Sequence, residues 1–448
     1  MKNTFLNEPP RTTPVLGEYD VCVLGGSCTG VFAAVRAARL GLSVVLIERM
    51  GCLGGVATLS MVNIWHSPYD ERFEKQIFSG LSIEVMERLK KRDAVTLRER
   101  DPNAAWIFNS CEMQIELDEL VSEHGITPFL HTTCVAPFVE EDSLQAILVE
   151  SKSGRSAIKA RFFIDATGDG DLCRQLGIST YLNQHRQPST TCALFEGMTQ
   201  WDKSEWQQLI LDHGHEFDLP DGFSWGCTVP ESDLYMFAGT RAYEDCSSVE
   251  GLTAAEIEGR RQIRAIQDLF RRYAPDHPIT LQALPARIGI RETRHIRSHY
   301  QLTGEDLLQG RKFPDAIANG SYRVDIHHDD KPGLTFRYLD GREMIVCPGR
   351  PPQHGRWRPE QSVNPTYYQI PYRSLVPRTP YGNLLAAGRF IDADEQAHGA
   401  IRVMVNMNQT GEAAGTAAFI ALQQGKPAIG LDTTLLRKTL QQGGSIIL

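Results

Sequence analysis

The chain has 448 residues, a formal charge of -9 at pH 7 and a pI near 5.8. That acidic balance argues against a nucleic-acid or anionic-membrane surface, which needs a basic face, and points to a small-molecule partner. The length exceeds one usual core, so at least two structural units are expected. Ten cysteines without a C-x-x-C pair disfavour a zinc ribbon, an iron–sulfur cluster or a dithiol redox motif.

The N-terminal stretch "MKNTFLNEPPRTTPVLGEYD" has no apolar leader segment, and no later run approaches the ~20 apolar residues of a membrane span. A cytoplasmic protein is expected. Residues 19 to 48 read as strand, glycine turn, helix and strand: "YDVCVLGG", "TGVFAAVRAARLG" and "SVVLIE", with Gly41 as the helix stop. Their continuous apolar strands suit a parallel sheet covered on both faces. A glycine-rich loop, "RMGCLGGVATLSM", follows, then helical patterns at "GLSIEVMERLKKR" and "CEMQIELDELVSEHG". Beyond them "ITPFLHTTCVAPFVE", "LQAILVES" and "SAIKARFFIDATG" are strand-like, separated by the turns "EEDS" and "SGRS".

From about residue 181 to 374 the character changes. This part holds most of the tryptophan and histidine, short strands such as "DLYMFAGT", a charged helix "AAEIEGRRQIRAIQDLFRRYAP" and the Pro/Arg-rich "CPGRPPQHGRWRP". From "GNLLAAGRF" onward the pattern returns to apolar strand, loop and a long small-residue helix. A discontinuous nucleotide domain (15–180 and 375–448) with a substrate or cap domain (181–374) is therefore expected.

In "LGGSCTG", Gly25 and Gly30 occupy the first and third positions of a G-x-G-x-x-G phosphate turn, while Ser27 stands where the middle glycine belongs. Gly26 keeps the turn pliable, and a serine hydroxyl can donate to a phosphate oxygen. Glu48 ends the second strand 23 residues after Gly25, near the ~20 expected for the carboxylate that accepts from ribose hydroxyls. A carboxylate there repels a 2′-phosphate, which selects FAD or NAD over NADP. No second G-x-G-x-x-G occurs, so a built-in NAD(P)H domain is not expected and the electron donor or acceptor is left open.

The segments "FIDATGDGDLCRQLG", "IGIRETRHI", "LTGEDLLQGRKFPDAIANGSYRVDIH" and "NLLAAGRFIDADEQAHGAIRVMVNMNQTGEAAGTAA" resemble the FAD-dependent oxidoreductases of the glutathione-reductase-like superfamily, whose FAD domain is related to fumarate-reductase-type flavoproteins. The resemblance runs from about Tyr19 to the C-terminal helix. It implies an α/β fold, with a Rossmann-like FAD-binding domain around a central parallel sheet and a mixed α+β substrate domain. It also implies that Gly25, Gly26, Ser27, Cys28, Thr29 and Gly30 cradle the pyrophosphate, with Glu48 and Arg49 at the adenosine. Gly54, Gly55, Ala57 and Thr58 would approach the flavin, Val135 would flank adenine, and Ala166, Thr167, Gly168 and Asp169 would form the ATG turn. Gly388 and Arg389, with the turn "AHGAIR" containing Gly399, Ala400 and Arg402, would deliver a helix N-terminus to the flavin. Cys52 lies in the cofactor loop, either as a packed thiol or as a point of covalent attachment.

For chemistry over the flavin the acid/base candidates are His398 and then His327, because imidazole titrates near working pH. Arg291 and Arg373, with Tyr372, are candidates for contact with an anionic substrate, whereas the other arginines of "ARIGIRETRHIR" suit ion pairing. "HHDD" offers adjacent residues on opposite strand faces, and His295 with His299 reads as an i, i+4 helical pair without a third ligand. No metal is expected. The expected activity is hydride transfer between flavin N5 and a small polar, anionic organic substrate. A flavin monooxygenase and a non-catalytic FAD-binding protein are the alternatives, and a homo-oligomer is compatible with either.

Overall fold

The computed structural model describes residues 6–98, 104–222 and 224–448. Seven strands form the central sheet: β1 (Val15–Leu24), β2 (Val44–Ile47), β3 (Thr127–Phe129), β4 (Thr133–Glu140), β5 (Ser143–Ser151), β6 (Gly154–Asp165) and β7 (Leu384–Ala386). β3, β2, β1 and β6 run parallel in that order, and β7 adds in parallel to the carboxyl end of β6. The amino end of β6 pairs instead with the antiparallel hairpin of β5 and β4. The last strand thus enters the sheet from the far end of the chain, as the returning apolar pattern implies.

The unbroken apolar runs are explained by two cores. Val21, Val23, Val44, Leu46, Phe162 and Ile164 face one core, while Cys22, Leu24, Val45, Ile47 and Phe163 face the other. Strand alternation therefore buries every residue of these short parallel strands. Three helices matter for the site: α1 (Cys28–Arg39), α2 (Glu395–Ile401) and α3 (Met404–Gln424). The small-residue helix α3 packs closely on α1. A Cβ at Gly411 would sit 2.1 Å from the Thr29 carbonyl oxygen, and one at Gly415 would sit 2.1 Å from that of Ala33. Across this contact Arg36 Nε donates to Glu412 at 2.9 Å, both side chains buried.

The middle of the chain divides. Residues 192–283 form an antiparallel sheet of four strands under helices Lys203–His213 and Val249–Tyr273, with their own core around Phe195, Trp206, Phe237 and Phe270. Residues 302–376 instead contribute Leu302, Ala316, Tyr368 and Tyr372 to the same core as β1 and α1. Two local expectations are corrected. "HIRSH" is not helical: His295–Ile296 is a short strand pairing with Thr180–Tyr181, so His295 and His299 do not share a helix face. "AHGAIR" is not a turn, because Ala397 to Ile401 lie within α2, capped by the Asp394 carboxylate accepting from the Ala397 N–H at 2.8 Å. Among the described residues no helix is long and apolar enough to cross a membrane.

Candidate active site

The turn between β1 and α1 depends on missing side chains. Gly25 has φ +106°, and a Cβ there would lie 2.4 Å from the Ala166 carbonyl oxygen. A Cβ at Gly30 would lie 1.8 Å from the Gly25 carbonyl oxygen, so α1 can start only against a bare backbone. Ser27 is the N-cap of α1, yet its side chain makes no capping bond and the first turn holds no acidic residue. The first-turn N–H groups at Cys28, Thr29 and Gly30 therefore remain available to an anion at the positive end of the helix. Ser27 also bridges to Gly54, and a Cβ at Gly55 would lie 2.7 Å from the Ser27 Cβ. The cradle and the second glycine loop are thus in contact.

Glu48 is buried and folds into this turn. One carboxylate oxygen accepts from the Gly26 N–H at 2.7 Å and the other from the Met50 N–H at 2.8 Å. Arg49 is exposed, in the field of Arg287, Asp169 and Asp171. Cys52 is half-buried, and burial raises its thiol. Val135 sits at a register shift between Cys134 and Ala136, where β4 departs from regular pairing. Thr58 turns its hydroxyl inward to the Leu53 carbonyl at 2.6 Å, and Ala57 is buried.

The ATG turn is held by a residue the sequence reading passed over. Asp165 accepts from the Thr167 N–H and hydroxyl at 3.1 and 2.7 Å and from the Cys173 N–H at 2.9 Å. Burial raises this carboxyl to about 6. Gly168 has φ +81°, and its neighbour Asp169 gathers Arg389, Arg287 at 3.1 Å and the Thr293 hydroxyl at 2.7 Å. Burial alone would raise Asp169, but Arg389 and Arg287 keep it ionised, below its ordinary value. Gly388, at φ +112°, donates its N–H to the Thr410 hydroxyl of α3 at 3.2 Å.

A second group of side chains, named the arginine chamber for its charge, adjoins the glycine loop; Arg241, Arg291 and Arg402 do not line the cavity that His327 lines. The Arg287 N–H donates to the Leu59 carbonyl at 3.2 Å, and Gly289 exchanges two backbone bonds with Thr190. This brings Arg291 alongside, donating to the Pro188 carbonyl and the Thr190 hydroxyl. Opposite lies the strand Val324–His327. There the buried Asp325 accepts from Tyr322 OH at 2.8 Å and from Arg402 at 3.1 Å, and its other oxygen lies 3.4 Å from His327 Nε2. α2 closes over this strand at Gly399, where a Cβ would lie 2.9 Å from the Asp325 carbonyl oxygen, and Ala400 follows, buried. His66 stacks on Tyr322 with ring centroids 4.1 Å apart.

Charge in this chamber is lopsided. Among the described residues neither Arg291 nor the buried Arg241 has a carboxylate within ion-pair reach, and Asp325 is the acidic partner of Arg402. Burial, then Arg402 and Arg241, depress Arg291 to about 9. Burial also pushes His327 down to about 4 against the pull of Asp325, so this imidazole is neutral at neutral pH. Against its burial, Asp325 stays ionised, held well below the usual range by the Arg402 charge at 3.1 Å and by contact with the His327 ring. His327 lines a cavity of about 310 Å³ with His185, Asp329, Arg337 and Glu395, giving it open space on one side.

His327, Arg291 and Arg402 are thus brought together. Asp325, two residues before His327 and on the same strand face, was missed although that spacing signals it. Arg241 and Gln187, whose amide donates to the Asp325 carbonyl at 3.0 Å, give no sequence signal. His398 is completely buried and pushed down to about 3 by burial, beside Glu292 rather than in the cavity. Tyr372 and Arg373 are engaged elsewhere. The fully buried Tyr372 hydroxyl donates to the Ala428 carbonyl at 2.9 Å, and Arg373 pairs with Asp315 at 2.9 Å.

A family model described as FAD dependent oxidoreductase matches residues 20–440. The chain belongs to that family. FAD is its cofactor, and the flavoprotein's uncapped α1 and glycine-only approaches fit a pyrophosphate. Over 226 residues it is 26% identical to dihydrolipoyl dehydrogenase 1, mitochondrial, of Arabidopsis thaliana, covering 50% of this chain and 40% of that protein. Over 163 residues it is 26% identical to the mitochondrial dihydrolipoyl dehydrogenase of Schizosaccharomyces pombe, covering 34% and 28%. The match spans less than half the length of these curated relatives. Among solved structures, a geranylgeranyl bacteriochlorophyll reductase-like protein of Thermoplasma acidophilum superposes with a TM-score of 0.47 at 11% identity, covering 95% of this chain and 84% of the other. The p-nitrophenol 4-monooxygenase of Pseudomonas putida gives 0.45 at 10% identity, covering 94% and 83%.

Proposed function

We propose that this flavoprotein exchanges hydride between flavin N5 and a small, polar, anionic organic substrate seated between Arg291, Arg402 and Arg241, with His327 exchanging the accompanying proton. The observation that carries this reading is the charge imbalance: of the half-buried Arg291 and Arg402 and the buried Arg241, only Arg402 has a carboxylate within ion-pair reach, that of Asp325. An uncompensated buried cation is costly, and a bound anion offsets that cost while the planar guanidinium forks fix its orientation. When bound, the flavin supplies the two-electron chemistry. His327, kept neutral by burial and oriented by Asp325, can accept a proton from a substrate hydroxyl or amine or, once protonated, return one. Arg402 and Tyr322 hold Asp325 ionised and in place.

The test is anaerobic mixing of the FAD-loaded protein with a panel of small hydroxy and amino acids and their neutral amides. Bleaching of the flavin by an acid and not by its amide supports the reading, and equal bleaching by both would sink the anionic chamber. Bleaching by NAD(P)H alone, with an oxygen-dependent product, would transfer the assignment to a monooxygenase.

A further inference from the structure

Behind the chamber wall lies a second group of side chains that the proposed redox chemistry does not use. Glu292 follows Arg291 directly and points to the other side, where His295 and His398 meet it with their ring centroids 4.7 Å apart. One potential ligand atom from each of the three residues lies within 4.8 Å of the others. All three residues are buried.

The hydrogen-bond arithmetic around His295 is the first clue. Its Nδ1 lies 3.1 Å from the Ile391 carbonyl, which can only accept, so Nδ1 carries the proton. Its Nε2 then presents a lone pair to the Glu292 carboxylate at 3.2 Å, with the Asn183 amide at 3.4 Å as the neighbouring donor, so the shorter contact sets two acceptors face to face unless a cation stands between them. A second proton on His295 would answer that contact alone. It does not answer His398, whose Nε2, 3.9 Å from the other Glu292 oxygen, donates to the Arg291 carbonyl at 3.2 Å; the proton therefore sits on Nε2, and Nδ1 keeps a lone pair that is buried with no hydrogen-bond partner among the described residues.

We propose that Glu292, His295 and His398 bind one divalent transition-metal ion, with zinc the first expectation. Ligands about 2.0–2.1 Å from a tetrahedral zinc stand roughly 3.3 Å apart, close to the His295–Glu292 spacing, and two histidines with one glutamate are the donor set of zinc sites that keep one position open. The surroundings are those of an outer shell. The Ile391 carbonyl fixes the His295 tautomer, and the Asn183 amide at 2.7 Å and the Gln187 N–H at 3.1 Å orient the Glu292 carboxylate. Such an ion would tie α2 to the 291–296 segment and set a divalent charge beside the arginine chamber. The site does not depend on the identity of the redox substrate.

The FAD-loaded protein, expressed with zinc supplementation and desalted, is assayed by mass spectrometry for manganese, iron, cobalt, nickel and zinc. About one equivalent of a single metal per chain is expected. Cobalt substitution should add ligand-field absorption on the long-wavelength side of the flavin bands. His295→Ala and His398→Ala should each lower the metal content roughly tenfold or more, His398→Cys should restore it, and His185→Ala, in the exposed cluster with Asp329 and Asp330, should not change it. Metal-free wild-type protein that takes up no cobalt overturns the proposal. So does metal retained by both alanine variants, or metal that departs with His185→Ala. If an alanine variant fails to retain flavin or fold, the wild-type stoichiometry and the cobalt spectrum decide.

Discussion

The cofactor cradle and the substrate chamber are built on opposite principles. The cradle is made of backbone: Gly25, Gly30 and Gly388 matter because nothing projects from them, and the recognition groups are N–H donors at a helix end. The chamber is made of side chains drawn from segments near residues 66, 187, 241, 291, 325 and 402, none of which identifies the others. A backbone site leaves a compact sequence signature, because each steric requirement falls on a fixed local position. A side-chain site is distributed by the fold and becomes visible only when charge and burial are read in three dimensions.

The comparison breaks first where the cradle tolerates no atom. Gly30→Ala places a Cβ 1.8 Å from the Gly25 carbonyl oxygen, a backbone atom that cannot move without reopening the β1–α1 turn. The expected outcome is protein without bound FAD, or little folded protein at all, read from the flavin-to-protein absorbance ratio and circular dichroism. A Gly30→Ala protein with full flavin content would show that the cradle is more plastic than its geometry.

Next in size is a change in the chamber that spares the cradle. His327→Asn keeps polarity and near volume but removes the exchangeable ring proton, so kcat/KM on the substrate found by the bleaching screen should fall about 10²–10⁴-fold. Its flavin content should match wild type. Loss of FAD together with activity would mean that the two regions are one cooperative unit.

Acid separates the regions by stability. In the folded chain His66 is held near 3 and His327 near 4, chiefly by burial, against about 6.5 for a free imidazole. Between those values the unfolded chain binds more protons, so stability is fully present above about pH 6.5 and declines as pH falls toward 4. Thermal melts of the apoprotein should lose several degrees across that window. The slope should be shallower in His327→Asn, because one of the depressed imidazoles, which also include the buried His398, is gone.

How far the sequence could be read follows the same division. The βαβ unit, the ATG turn and the return of the C-terminal segment to the sheet were legible because each is a run of local pattern. His327 and Arg291 were legible as chemistry but not as neighbours, and Asp325 needed only the strand period to be noticed beside His327. Tyr372 and Arg373 show the converse, since a promising local string, "YYQIPYRSL", serves packing: Tyr372 lies within the core and Arg373 balances Asp315. Tyr372→Phe should therefore cost about 1 kcal/mol of stability by orphaning the Ala428 carbonyl, measured by denaturant unfolding, with kcat/KM unchanged.

The smallest effect is expected at Ser27, the residue that departs from the glycine pattern. Its hydroxyl caps nothing in α1, while its Cβ packs where Gly55 has no side chain. The facing loop carries no side chain at Gly55, so the two loops approach closely although Ser27 has a Cβ. Ser27→Gly should then change FAD affinity by no more than a few-fold, since it adds a little backbone freedom before binding and loses one hydroxyl contact to phosphate. Gly55→Ala should do far more harm, because φ +59° and the Ser27 Cβ both oppose a methyl group there. Titration of the apoprotein with FAD measures both. The double variant Ser27→Gly/Gly55→Ala tests this contact directly: partial rescue of binding relative to Gly55→Ala shows that the two positions share one steric requirement, and no rescue assigns the Gly55 requirement to its backbone conformation alone.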